Sequence, residues 1–287
     1  MSSYSSTSVC RCRPLLGTFV EITVRGDPAR IESAVSAAFD AIERVQRLMS
    51  FHDPASELSQ LNRRAAKRPV TVDDWTFQVL TAAKEIATAS DGAFDPTVAP
   101  TLQRWGILPS TGADIASGDW RDLELLAGRR VRFRRPLTLD LGGIAKGFAV
   151  DCAVAALRAA GAESGLVNAG GDLRALGPGE ETVQLRDPQS PGRMAHELRL
   201  HEAALATSAP TFSRRAGPDG DLSHLVHPPT RAALVDGVSV SVRAPTCMVA
   251  DALTKVVLFG GQLAEAVLAL HGAEAFVLAA APLPLAA

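Results

Sequence analysis

An α+β fold with a mainly antiparallel sheet is what this sequence predicts, on three observations. Apolar residues alternate with period two at 18–24, 131–133 and 238–242, the pattern of half-buried strands. They recur with three-and-four spacing at 31–49 and 74–89, the pattern of amphipathic helices. Strands and helices follow one another without the regular alternation that builds a parallel sheet.

The chain has 287 residues, 47% hydrophobic and 21% charged, enough to bury a large core. It opens on Ser-rich MSSYSSTSVCRCRP, which lacks the apolar core of a secretory signal, so residues 1–13 are expected to be a flexible lead-in, 14–287 the folded domain and the location cytoplasmic. Thr18–Val24 reads as a strand with one wet face. Ile31, Val35, Ala38, Ile42, Val45 and Met49 form the inner stripe of a first helix, which Pro54 keeps from continuing. A short turn is expected at 56–59, and the basic run 63–68 reads as a solvated loop. The second helix, 74–89, faces inward through Val79, Leu80, Ala83, Ile86 and Ala87 and stops at Asp91-Gly92. Residues 109–121 mix Pro, Gly, Ser, Thr and Asp and read as a surface excursion. Strands follow at 131–133 and 137–141, then a helix from Ile144 to Ala160 closed by Gly161. Short strands cover 165–168 and 173–207, then a strand at 238–242, helices at 250–259 and 262–270, and a last strand at 275–278.

Several function classes drop out at this level. The 29 basic against 31 acidic residues give no broad positive field for nucleic acid. No apolar stretch approaches the ~18 residues a membrane span needs. Cys10 and Cys12 lack the second paired cluster that a zinc site requires.

Five segments can carry chemistry. Leu139-Asp140-Leu141-Gly142-Gly143-Ile144-Ala145-Lys146-Gly147 brings unpaired helix-start N–H groups and a lysine to one turn, a phosphate cradle or simply a tight strand-to-helix turn. Asn168-Ala169-Gly170-Gly171-Asp172 permits close backbone approach and ends in a carboxylate, or is a plain β-turn. Asp251 stands at the start of an apolar helix, suited to the helix dipole or to a hard divalent cation. His224 and His227, three apart, point to opposite faces of a strand and cannot both serve one centre; His224 is the candidate acid or base. Phe94-Asp95 offers an aromatic and a carboxylate from a loop, for a heteroaromatic ring or a helix cap.

In this order the segments resemble the ApbE-type FAD:protein FMN transferases. The likeness also covers Pro14-Leu15-Leu16-Gly17-Thr18, Met49-Ser50-Phe51-His52, Ser56-Glu57-Leu58-Ser59 with Asn62, Ser90–Thr97 with Trp105-Gly106, Ala206-Thr207-Ser208, and Ala244–Leu253, spanning residues 14–280. It implies a T-fold-like core and a magnesium-assisted transfer of FMN from the substrate FAD to Thr or Ser of a target protein bearing an Asp-x-x-Ser/Thr-Gly-Ala-Thr-like motif, through a phosphoester. It implies His224 as the catalytic residue, Asp251 and the Ala145 carbonyl as Mg²⁺ ligands, and FAD contacts from Leu16, His52, Ala93, Phe94, Asp95, Gly142, Phe148 and Leu225.

Four departures from the family pattern involve five positions. Leu16 replaces Met, a volume-conserving change. His52 replaces Tyr. His227 and Arg231 replace the Asp and Gly that follow the catalytic histidine. Lys255 replaces a Thr that helps hold the metal, and a protonated ammonium cannot ligate Mg²⁺; it repels the ion or contacts the diphosphate in its place. Three activities therefore stand open: transfer, hydrolysis of FAD to FMN and AMP, and flavin binding without turnover.

Overall fold

The computed structural model describes residues 7–110, 116–190, 192–218, 220–235 and 237–279. Along the chain come β1 (Thr7–Leu15), β2 (Thr18–Gly26), α1 (Ile31–Met49), α2 (Glu57–Arg64), β3 (Val70–Thr71), α3 (Asp74–Ala89), α4 (Ala99–Arg104), β4 (Leu123–Leu126), β5 (Arg130–Phe133) and α5 (Ala145–Ala159). Then follow β6 (Ser164–Ala169), β7 (Asp172–Leu176), β8 (Glu181–Arg186), β9 (Met194–Leu200), β10 (Ala204–Ser208), β11 (Arg215–Gly217), β12 (Gly220–Leu222), β13 (Val238–Ala244), α6 (Cys247–Phe259), α7 (Leu263–Leu270) and β14 (Glu274–Ala279).

Seven strands form one sheet in the order β1-β2-β6-β7-β10-β13-β14, and every neighbouring pair is antiparallel. The predicted α+β class holds. Period-two alternation decides its faces. Val20, Ile22 and Val24 of β2, Val167 of β6, Ala206 of β10 and Val240 and Val242 of β13 are fully buried on the helix side. There α5 lies between α1 and α6, and α6 also packs on β10 and β13. On the other face Leu173 and Leu205 meet Leu185, Leu198 and Leu200 from the β8–β9 hairpin, a smaller second core.

Five expectations need correction. Residues 7–13 are not a loose lead-in: Thr7–Leu15 pairs along its whole length with β2, from Thr7 opposite Gly26 to Leu15 opposite Thr18. Its polar sequence hid it, because a sheet-edge strand takes its stability from the backbone ladder rather than from buried side chains. Arg63 and Arg64 end a helix rather than a loop, capped at its start by the Ser56 hydroxyl, which accepts the Ser59 N–H at 3.1 Å. Leu137–Leu141 is largely buried but is not a strand; Leu139 pairs with a side chain, and the Asp140 N–H goes to the Pro96 carbonyl at 2.8 Å. Asn62 donates to the Leu139 carbonyl and accepts the Leu139 N–H, both at 2.9 Å. The helix expected from Ala250 begins at Cys247, with Thr246 as its cap. Of the excursion expected at 109–121, residues 111–115 lie outside the described residues, and Trp120 is buried in a short helical turn.

Candidate functional site

A cavity of about 750 Å³ opens at one end of the sheet, a size suited to a small-molecule ligand. Its walls come from the β1–β2 turn (Leu16, Gly17), the C-terminal end of α1 (Gln46, Met49), the segment after it (His52), and the start of α5 (Ala145, Lys146). The turn holds Leu16 at φ 55° and Gly17 at 72°, and the Leu16 N–H donates to Gln46 Oε1 at 2.7 Å, which ties the hairpin to α1. Gly170, at φ 64°, closes the far wall; a Cβ there would strike the Thr18 hydroxyl.

A second cavity, about 60 Å³, adjoins it and is lined by Ala93, Phe94, Asp95, Gly143, Leu225, Lys255 and Phe259. Asp140 and His224 line both cavities, so they form the wall between them. The N-terminus of α5 stands beside that wall with the positive end of its dipole; its Ala145 N–H goes to the Leu141 carbonyl at 2.8 Å and its Gly147 N–H to the Asp251 carboxylate.

His224 sits in a non-strand segment, contrary to expectation. Ser223 is fully buried beneath it: its hydroxyl donates to the Leu234 carbonyl at 2.6 Å and accepts the Leu225 N–H at 3.1 Å. His224 keeps an open face toward the cleft, yet the protein packed around it lowers its pKa, with the Asp140 charge opposing. Burial in turn pushes the Asp140 carboxyl upward, against the Gly142 N–H at 3.0 Å and the neighbouring His224, His52 and Lys255. His227 turns away, packing edge-on against Phe259 with ring centroids 5.5 Å apart and bonding Thr230 through Nδ1.

Asp251 lies in the second turn of α6 and is 2% exposed. Its Oδ2 accepts the Gly147 N–H at 3.2 Å. This contact needs α5 and α6 nearly touching, and Gly147 allows it, because any Cβ there would collide with the Cys247 carbonyl. Oδ1 takes the Lys255 ammonium at 2.5 Å, and the same Nζ reaches the Asp251 carbonyl at 2.9 Å. Burial would raise this carboxyl's pKa, but the Lys255 and Lys146 charges and the Gly147 N–H outweigh it and hold it below the ordinary range. Lys146 is itself ion-paired to Asp172, which is 1% exposed.

The fold thus brings together most of the residues singled out in the sequence. Leu16, His52, Gly142 and Ala145 line the larger cavity; Ala93, Phe94, Asp95 and Leu225 line the smaller, and His224 lines both. Phe148 lines neither: it is buried between α5 and α3, T-stacked on Trp75 at 5.9 Å, because one helical turn from Ala145 aims it into the core. Asp95 is already engaged, its Oδ1 accepting from the Thr97 N–H and hydroxyl and its Oδ2 from Arg231 at 3.2 Å. Asp140 was missed as a site residue. Its signal was a carboxylate set among alternating buried leucines just before two glycines.

A model of the ApbE family matches residues 16–277. The chain is 30% identical over 276 residues to an FAD:protein FMN transferase of Treponema pallidum, covering 85% of this chain and 76% of that protein. It is 32% identical over 267 residues to an FAD:protein FMN transferase of Rhodobacter capsulatus, covering 86% of this chain and 50% of that protein, so it spans about half that relative's length. The crystal structure of the ApbE protein from Thermotoga maritima superposes with a TM-score of 0.83 at 27% identity, covering 94% of each chain.

Proposed function

The chain belongs to the ApbE family, and from that premise we propose that it is an enzyme that transfers FMN from FAD to a Thr or Ser hydroxyl of a target protein. One observation carries this reading: a cavity of about 750 Å³ has Asp140 and His224 in its wall beside the N-terminus of α5. The larger cavity is of the size that takes a whole dinucleotide, with its diphosphate against the Asp140–His224 wall, where the positive end of the α5 dipole favours anions.

In the transfer, the acceptor oxygen forms a bond to the FMN phosphorus, the bond from that phosphorus to the bridging oxygen breaks, and AMP leaves with that oxygen. His224, neutral because of its lowered pKa, takes the hydroxyl proton. Leu16, His52 and Gly142 line the cavity that takes the ligand, and Ala93, Phe94, Asp95 and Leu225 line the small recess beyond the Asp140–His224 wall. Ser223 positions His224 through its two hydrogen bonds. The N-terminus of α5 favours the charge that builds on phosphate oxygens.

Family likeness also implies Mg²⁺ at Asp251 and the Ala145 carbonyl. The residues present do not fit a divalent ion. The Asp251 carboxylate is occupied by the Lys255 ammonium and the Gly147 N–H, and the ammonium also holds the Asp251 carbonyl. A divalent ion ~4 Å from that ammonium meets a repulsion of about 8 kcal/mol at an effective dielectric of ~20. Among the described residues no cluster of three His, Cys, Asp or Glu side chains offers another site.

The test is to incubate the protein with FAD and a peptide carrying an Asp-x-x-Ser/Thr-Gly-Ala-Thr segment and to follow peptide mass and AMP. A peptide heavier by one FMN phosphoryl group, with equimolar AMP, is the expected result. AMP formed equally without peptide would mean that water is the acceptor, and no AMP in either case would refute turnover.

A further inference from the structure

We propose that Lys255 is a fixed cation that takes the place of a divalent metal ion in this site, holding Asp251 and offering its remaining N–H to a diphosphate oxygen of the ligand. The inference deepens the flavin-transfer reading and rests on it for the identity of the ligand.

The geometry around Lys255 is that of a bound cation. Nζ contacts the Asp251 carboxylate at 2.5 Å and the Asp251 carbonyl at 2.9 Å, two oxygens from one residue. These contacts use two of its three N–H donors. The side chain is 17% exposed, and what is exposed lines the smaller cavity beside Phe94 and Leu225. Gly143 makes room for it: a Cβ at that position would lie 3.2 Å from the Lys255 Cε. The diglycine ahead of α5 thus has a second role, admitting the lysine stem to the floor of the site.

The hydroxyl next in sequence is not held in reserve for a metal. Thr254 is fully buried, donates to the Asp251 carbonyl at 2.7 Å, and meets the Ser208 hydroxyl at 2.7 Å. The second ammonium of the region, Lys146, lines the larger cavity while paired to Asp172. Each lysine therefore has its own buried carboxylate, and the two stand on opposite sides of the Asp140–His224 wall. A tethered ammonium cannot be removed by a chelator and gains nothing from added metal.

Two measurements on the full chain test this. The first needs no flavin: Mn²⁺ is titrated into metal-free protein and followed by electron paramagnetic resonance. Wild type is expected to leave Mn²⁺ free and Lys255→Thr to bind it; stoichiometric Mn²⁺ binding by wild type would overturn the proposal. The second is calorimetric titration of FAD in excess Mg²⁺ and in chelator. For wild type the two affinities are expected to agree within about twofold; Lys255→Thr should lose about tenfold in chelator and recover with Mg²⁺, a difference of ~1.4 kcal/mol. Wild-type binding that appears only with Mg²⁺ would overturn the lysine proposal and leave the flavin reading intact. No FAD binding in either buffer would overturn the flavin reading instead, with the Mn²⁺ result still deciding whether lysine excludes metal. Should Lys255→Thr fail to fold, Lys255→Gln serves in both experiments and the wild-type arms still decide.

Discussion

The Asp151 carboxylate of α5 accepts the backbone N–H of Cys247 at 2.9 Å, so one helix supplies the N-terminal cap of another that lies 96 residues later in the chain. Its second oxygen accepts the Met248 N–H at 2.9 Å, and Arg174 of β7 closes the cluster at 2.6 Å. Both side chains are largely buried, at 13% and 15% exposure. Asp151→Ala should therefore destabilise the protein by about 3 kcal/mol or more, because it strands a buried guanidinium and two helix-start N–H groups. Chemical denaturation measures this; a loss below ~1 kcal/mol would show that the cap contributes little.

Asn62 acts as a one-residue strand for Leu139. Replacing it with Ala leaves a buried N–H and carbonyl unpaired, which should cost about 2 kcal/mol or more. The neighbouring Asp140 should then lose its fixed place in the cavity wall, and FAD affinity should fall with stability. Asn62→Asp sets a carboxylate oxygen against the Leu139 carbonyl in a buried position and should cost at least as much as Asn62→Ala.

His224 sets the expected pH dependence. Its pKa is lowered from 6.5 by desolvation, so the neutral imidazole persists through neutrality. Transfer rates should be flat from neutrality upward and fall as pH drops through the lowered value. The unfolded chain binds this proton first, at about 6.5, so the group also removes stability as pH falls from there to the folded value. His224→Ala should cost ~10²–10⁴ in kcat and abolish that acid limb, with FAD affinity by calorimetry falling far less than kcat.

Arg231 holds φ 58° and pairs with Asp95 at 3.2 Å. Arg231→Gly gives up a partly exposed ion pair, worth about 1 kcal/mol at most, and relieves a left-handed backbone that costs about as much. Its stability should match wild type. Arg231→Ala keeps the strain and loses the pair, and should melt lower than Arg231→Gly, with about 1 kcal/mol between the two variants.

Thiol labelling should divide the cysteines two and two. Cys10 and Cys12 are exposed on β1, whereas Cys247 is buried with its thiol pKa well raised by desolvation, and burial likewise pushes the Cys152 thiol up to about 12. Two should react with a disulfide reagent in the native protein and all four after unfolding.

Periodicity made the helices α1 and α3 and the strands β2 and β13 legible, because each carries its apolar residues on one stripe or at alternate positions. It could not reveal β1, whose side chains are mostly exposed, nor distinguish Leu137–Leu141 from a strand, since Asn62 supplies the ladder from 77 positions away. At the site, glycines and His224 stood out by residue type and order. The shared position of Asp140, the inward turn of Phe148 and the grip of Lys255 on Asp251 depend on how α5, α6 and the loops approach each other. No local pattern encodes that approach.

The central sheet has a consequence for the way the chain is made. β2 finds its inner neighbour only when β6 exists, so residues 18–26 wait for 164–169 before the ladder between them can close. During synthesis the first hairpin is an orphan with an open edge, carrying Val20, Ile22 and Val24 on one face. Contacts this distant in sequence slow folding, and exposed apolar edges invite wrong partners. Glu21 and Arg25, alternating with those residues on the other face, are the charges available to keep the waiting strand from self-association.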